Sequence, residues 1–402
     1  MAKARPMDAP ALEEFLTRGI VSVYPSRDFL HKKLLHGERV RLYLGVDPTG
    51  PTLHLGHTAV LLKLQELQKF GHEIILLIGD FTGMVGDPTD KSAARRRLTR
   101  ADVLANAKKY KKQASRFLSF SGKNSVKLLH NSKWLSKLNF EQVLDLSAHF
   151  TVQQLMERDM FQVRHKEQKP IYLHEFLYPL LQGYDSVAMD VDGEIGGNDQ
   201  TFNMLAGRTL MKQLKGKEKF VIAMKLLTDP SGKKMGKTEG NMVTFEDSPA
   251  DMFGKIMSWP DEMIVSAFEL LTKVSQSEIE VVQKGMAERS LNPRDAKARL
   301  ALEIIKHFYS AGEAEKAQES FEKTFREGKA PDSISEIKIA KNTPLMFALA
   351  KRLGSNSRVR QRVQQGAISE IGGEKISDPL FPITRDMDLR IGSHEFVRLK
   401  IM

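Results

Sequence analysis

Cysteine is absent from the 402 residues. That excludes disulfides, thiolate metal sites and a cysteine nucleophile, and it fits a reducing compartment. Long apolar runs are missing as well. Runs such as "IILLI" at 74–78 fall far short of the ~20 residues that a membrane span needs, so no integral membrane protein is expected. The opening stretch places Asp8, Glu13 and Glu14 directly after its early basic residues, unlike a secretory or transit segment, and a cytoplasmic location is expected. Acidic residues are the scarcer sign: 50 Asp and Glu against 61 Lys and Arg leave a net charge of +11. Such a surplus points to a polyanionic partner.

What is present suits a folded, enzyme-sized chain of two or three domains, with 41% hydrophobic residues. Short β-rich runs, Val40–Val46, Glu73–Ile78, Ser125–His130, Ser186–Val191 and Phe220–Leu227, read as buried strands. Between them Thr58–Phe70 and Thr99–Phe120 carry helical periodicity. The alternation predicts an α/β fold: a parallel sheet covered by helices, with ligands beyond the carboxyl ends of the strands. From about Ser248 to Arg326 helical patterns dominate, and Glu327–Pro344 reads as a linker. The chain therefore divides into an α/β domain at 1–246, a helical domain at 247–330, a linker at 331–342 and a small terminal domain at 343–402. That last region is basic: from Lys341 onward there are 11 Lys and Arg against 6 Asp and Glu. A second basic cluster lies at Lys108–Arg116. One such run is most simply a solvated helix face, whereas two far apart favour an extended anion.

Two stretches carry chemistry. "TLHLGH" at 52–57 joins the first of these strands to the helix that starts near Thr58, where exposed N–H groups and the helix dipole favour an anion. His54 and His57 can project to one side of that turn, and Gly56 leaves the backbone open. Two imidazole donors suit charge that develops on a phosphate, while a helix-capping or core pair is the plainer alternative. A zinc pair is weaker, since no third ligand is nearby. The second stretch, "DPSGKKMGKTEGN" at 229–241, nearly imitates a P-loop, but Ser231 stands where the first glycine belongs and no helix pattern follows. It reads as a loop whose Lys233, Lys234 and Lys237 reach a polyphosphate. "DVDGEIGGNDQ" is not a calcium loop, because Ile195 and Thr201 occupy the required glycine and glutamate positions.

"HLGH" with "KMGKT" resembles the two nucleotide signatures of class I aminoacyl-tRNA synthetases. "YLGVDPTGPTLHLGH", "GDFTGMVGDPTDKS", "YPLLQGYDS" and "IGGNDQTFN" are similar to bacterial tyrosyl-tRNA synthetases, and "RQRVQQGAISEIGGEKISDP" resembles their small RNA-binding module. The resemblance covers nearly the whole chain. It implies a Rossmann-type catalytic domain, a helical anticodon-binding region, a small basic α+β RNA-binding domain and a homodimer. Its implied partners are L-tyrosine, ATP and tRNA(Tyr), with Mg2+ bound through the ATP phosphates.

The same resemblance assigns the site. Tyr43 and Asp185 would hold the substrate hydroxyl; Tyr178, Gln182 and Asp87 would meet its ammonium, with Gln200 nearby. Gly45, Asp47, Gly56, Gly197 and Asp199 would bind the nucleotide, and Thr49, His54, His57, Lys234 and Lys237 its phosphates. Apart from the resemblance, Tyr43 reads as a buried strand aromatic. "KMGKT" departs from the family's usual "KMSKS": Gly236 and Thr238 replace both serines. The alternatives are the tryptophan-specific sister enzyme, a non-catalytic RNA-binding paralogue and a smaller nucleotidylyltransferase.

Overall fold

A computed structural model of the chain describes residues 4–87, 98–232, 242–327, 335–371, 373–392 and 395–402. The chain forms two compact units. The first runs to Met235 and includes Thr244–Glu246 and Glu269–Leu271; the second includes Asp247–Phe268 and Thr272–Met402.

Six strands build the sheet of the first unit: β1 (Ile20–Tyr24), β2 (Arg41–Val46), β3 (Glu73–Ile78), β4 (Lys127–His130), β5 (Gly193–Gly197) and β6 (Phe220–Met224). Their order is β1-β6-β5-β2-β3-β4. All pairs are parallel except β1 with β6. Buried on both faces, β3 and β6 are nearly continuous apolar runs. From β2 the chain moves outward to β3 and β4, then returns to the other side of β2 as β5. This reversal opens a crevice beyond the carboxyl ends of β2 and β5, where open α/β sheets bind ligands.

Two expected elements differ. Ser186–Val191 is not a strand: Ser186 to Met189 complete the helix Leu173–Met189, which stops at Asp190 in the left-handed region, φ 48°. A short apolar run has no period to separate helix from strand. The strand is the glycine-rich "GEIGG" that follows, with a composition that hides it. Gly193 is required there because a Cβ would lie 2.2 Å from the ring of its cross-strand neighbour Phe220. β1 was not legible as a strand at all; it is an antiparallel edge with a register shift.

The helices Leu173–Met189 and Thr201–Lys215 cross closely, since a Cβ on Gly183 would sit 3.2 Å from the backbone of Ala206 and Gly207. That crossing fixes which residues of the first helix face the sheet. The basic cluster at 108–116 also has a structural use. Its buried members Tyr110 and Gln113 hold the loop after β2: the Tyr110 hydroxyl donates to Gly50 O at 2.6 Å, and Gln113 Oε1 accepts from Leu53 N at 2.8 Å.

In the second unit, residues 249–327 are helical, with no strand among the described residues of that stretch. Ser248 and Asn292 cap helices that begin at Pro249 and Pro293, and Ser275 forms a capping box with Glu278. Beyond them β7 (Ser335–Ile339), β9 (Ile368–Glu370), β11 (Met387–Ile391) and β12 (Glu395–Ile401) form a sheet in the order β7-β12-β11-β9, and β8 (Thr343–Pro344) pairs with β10 (Pro382–Ile383). Leu345, Leu349, Val359, Val363, Leu389 and Leu399 fill its core with helices Leu345–Leu353 and Asn356–Gln364. Residues 335–339, expected inside a linker, are thus an edge strand paired in parallel with β12.

Candidate active site

The loop that leaves β2 is held from both ends. Asp47 accepts from the Thr82 hydroxyl at 2.6 Å and from the Tyr178 hydroxyl at 2.9 Å. Gly79 makes this possible, since a Cβ there would meet Asp47 Oδ1 at 1.9 Å. Burial pushes the Asp47 carboxyl up to about 7, against the lowering by its two donors. Thr49 is exposed and turns back through its N–H to Asp47 O; Gly45 is exposed at the strand end.

His54 and His57 flank a 3-10 turn, with ring centroids 4.2 Å apart and planes tilted by 58°. His54 Nδ1 accepts from Gly56 N at 3.1 Å, which places the proton of the neutral ring on Nε2. His57 Nδ1 lies 3.2 Å from both the N and the O of His54. The capping role is therefore real, and it orients both rings. Gly56 is needed because a Cβ would sit 2.8 Å from the His54 ring. His54 also bridges in antiparallel fashion to Thr244, so the return segment braces the turn.

Across the crevice, Tyr178, Gln182, Asp185 and Ser186 share one face of their helix at i, i+4, i+7 and i+8. Asp185 is buried and accepts from Trp134 Nε1 at 2.6 Å and Asn131 Nδ2 at 3.2 Å. Burial raises its carboxyl well above the usual carboxylate range, opposed by those donors. Asn131 Nδ2 also donates to Thr82 Oγ1 at 2.9 Å. The result is one unbroken chain, Tyr178–Asp47–Thr82–Asn131–Asp185–Trp134. Burial, then the nearby Asp47 charge, raises the Tyr178 phenol, so it remains a donor.

Tyr43 is fully buried, its hydroxyl 3.1 Å from Ser186 Oγ. Burial, then the charges of Glu194 and Asp185, keeps it protonated. Gln182 donates to Glu194 Oε1 at 2.9 Å. At the end of β5, Gln200 Nε2 donates to Asp87 Oδ2 at 2.7 Å and Arg158 approaches Asp87 Oδ1 at 3.5 Å. Asn203 orients Gln200 through its Oε1 at 2.9 Å. Gly197 admits the Asp199 carboxylate, which a Cβ would meet at 2.5 Å. Lys234 and Lys237 lie outside the described residues. Sequence reasoning missed Thr82, Asn131, Trp134, Arg158, Ser186, Glu194 and Lys219. Thr82, Ser186 and Glu194 carried a signal, inside "GDFTGMVGDP", "YPLLQGYDS" and "DVDGEIGGNDQ".

The family model of the class I tRNA synthetases (W and Y) matches residues 35–326. The tyrosine–tRNA ligase of Moorella thermoacetica is 41% identical over 393 residues, covering 96% of this chain and 94% of its own length. Tyrosine–tRNA ligase 2 of Vibrio vulnificus is 42% identical, with 96% and 97% covered. Among solved structures, a C-terminally truncated mitochondrial tyrosyl-tRNA synthetase of Coccidioides posadasii superposes with a TM-score of 0.62 at 25% identity, over 77% of this chain and 90% of that one.

Asp47 links the site to pH. Its carboxyl titrates near pH 7 when folded and at 3.8 when not, so the folded chain holds the extra proton between these values. This stabilising contribution is complete below the lower value and is lost as pH rises through the upper one. Asp47→Asn cannot ionise, so in ligand-free protein its melting temperature should fall less than the parent's between about pH 5 and 8. Parallel curves would show that Asp47 stays solvated.

Proposed function

The chain belongs to the class I tRNA synthetases of the tryptophan and tyrosine group, and on that premise we propose how its residues divide the work of a tyrosine–tRNA ligase. The reaction is ATP-dependent. The carboxylate of tyrosine attacks the α-phosphorus of ATP, pyrophosphate leaves, and the activated tyrosyl group then passes to the terminal ribose of tRNA. The carboxylate is already a nucleophile, so the protein positions groups and stabilises charge.

The observation that carries the site reading is the buried chain from Tyr178 through Asp47, Thr82 and Asn131 to Asp185. A carboxylate withdrawn from water and fixed by donors suits a ligand hydroxyl or ammonium. Asp185 would accept from the substrate hydroxyl and Tyr43 donate to it. Tyr178, Gln182 and Asp87 would surround the ammonium, with Gln200 beside them. Gly45, Asp47, Gly56, Gly197 and Asp199 border the crevice suited to the nucleotide. Thr49, His54, His57, Lys234 and Lys237 would serve its phosphates, the histidines through rings already oriented by their backbone contacts. Magnesium would enter on the ATP oxygens and neutralise phosphate charge. This fits the donor set, because Asp47 and Asp87 are committed to Thr82, Tyr178, Arg158 and Gln200.

The helical stretch 247–330 would meet the anticodon arm, and the terminal domain at 343–402 would grip the tRNA backbone. Arg358, Arg360 and Arg362 are exposed on the helix Asn356–Gln364, whose Val359 and Val363 are buried. Exposed apolar residues are frequent between positions 140 and 173 of the first unit: Phe140 (77%), Leu144 (54%), Val152 (65%) and Leu173 (78%). Such exposure favours a buried interface in a homodimer. No helix of the described residues is long and apolar enough to cross a membrane, and ATP and tRNA are substrates of the cytoplasm, where we place the protein.

Amino-acid-dependent exchange of pyrophosphate into ATP tests the site. Tyrosine should support it, and tryptophan and phenylalanine should not. The rejection of phenylalanine in this enzyme family is a standard case, at about 10⁵-fold. Tyr43→Phe should lower the tyrosine-to-phenylalanine ratio by roughly tenfold, one hydrogen bond's worth. An unmoved ratio would make Tyr43 a core aromatic. Ending the chain before Ser335 should keep adenylate formation while tRNA charging weakens and loses part of its salt dependence; loss of adenylate in a folded truncation contradicts the division. In sedimentation, the chain should run at twice its 45.4 kDa, and Phe140→Glu should shift it toward monomer.

A further inference from the structure

Lys219 is fully buried, precedes β6, and carries no role in the reading above. Its ammonium donates to Ser186 Oγ at 2.8 Å, to Met204 O at 3.1 Å and to Glu194 Oε2. Three donors meet three acceptors, so the cation is satisfied without water. Room for it is made by Gly207, where a Cβ would lie 2.4 Å from Nζ and 2.7 Å from Ser186 Oγ. Glu194 is equally enclosed, its side chain 2% exposed.

This pair stands directly behind two residues of the proposed tyrosine pocket. Glu194 Oε1 accepts from Gln182. Ser186 Oγ contacts the Tyr43 hydroxyl, and Lys219 Nζ lies 5.5 Å from the Tyr43 ring centroid. Glu194 is also the register partner of Tyr43 across the parallel β2–β5 pair, so the two side chains lie side by side on one face of the sheet. A buried carboxylate recruits any donor in reach, and a phenol gives it a short, strong bond. With Lys219 present, one oxygen of Glu194 is held by the ammonium and the other by Gln182. Without it, the Tyr43 proton becomes the nearest replacement.

We propose that Lys219 is a positioning residue for amino-acid recognition: by engaging Glu194 it keeps the Tyr43 phenolic proton available for the hydroxyl of the bound amino acid. This rests on the reading of Tyr43 given above and adds the reason that its hydroxyl is free to serve. Ser186 takes part by accepting from Lys219, which leaves its own O–H to donate to the Tyr43 oxygen.

The test compares tyrosine and phenylalanine in pyrophosphate exchange by the full-length protein. Lys219→Met should lower the preference for tyrosine by about tenfold and raise the tyrosine KM, with the ATP KM unchanged. Adding Glu194→Gln to that variant removes the competing carboxylate and should restore most of the preference. Because neutralising Glu194 also relieves an unpaired buried charge, the variants are compared per folded molecule, with the unchanged ATP KM as the control for a damaged fold. An unchanged preference in Lys219→Met, or a paired variant no better than the single one, overturns the proposal. If Lys219→Met does not fold, the neutral pair decides: near-parental preference supports the proposal and its loss overturns it. Tyr43→Phe run alongside separates the two claims. A ratio that moves with Tyr43→Phe but not with Lys219→Met sinks this inference alone, while one that ignores Tyr43→Phe sinks the reading beneath it.

Discussion

Carboxylates withdrawn from water in and beside neighbouring parallel strands set the terms for the rest of the first unit. Asp47 follows β2, Glu194 lies in β5, and Asp185 faces them from the helix Leu173–Met189. A buried carboxylate without donors costs several kcal/mol, so the surrounding chain has to supply hydrogen bonds from fixed directions. It does so from distant segments: Thr82 after β3, Asn131 and Trp134 after β4, Tyr178 and Gln182 from the helix, and Lys219 before β6. The β3–β4, β4–β5 and β5–β6 connections each deliver at least one of these donors. The pocket is thereby rigid before any ligand arrives, which suits an enzyme whose chemistry is mainly placement.

Close approach of backbones is the second requirement, and glycine meets it. Gly79 lets Asp47 lie against the strand end, Gly207 clears the space for the Lys219 ammonium, and Gly183 lets two helices touch. None of these marks a flexible loop. Each is a place where a methyl group would displace a polar contact or a helix crossing.

Lys219 and Glu194 form an ion pair with almost no water, a type whose desolvation often cancels its attraction. Its value here is directional rather than energetic. The pair binds Gln182 and reaches Tyr43 through Ser186, so it joins the part of the pocket suited to an ammonium with the part suited to a phenol.

The sequence alone determined much. The apolar runs of β2, β3, β4 and β6, the strand-to-helix turn at "TLHLGH" and the helical stretch after Ser248 were all legible, because burial on both sheet faces and helical period leave marks within a few residues. The motifs were legible for the same reason, being short and contiguous. Tertiary structure alone decided the rest. Whether Ser186–Val191 was helix or strand depended on packing against Thr201–Lys215, and β5 was concealed by glycines, of which Gly193 shows its need only beside Phe220 and Gly197 only beside Asp199. The terminal sheet captured residues 335–339 because β12 offered a parallel edge. Asn131, Trp134 and Lys219 have no motif. They matter because the fold brings them to carboxylates 25 to 54 positions away, and hydrogen bonds across such separations leave no period in the chain to read.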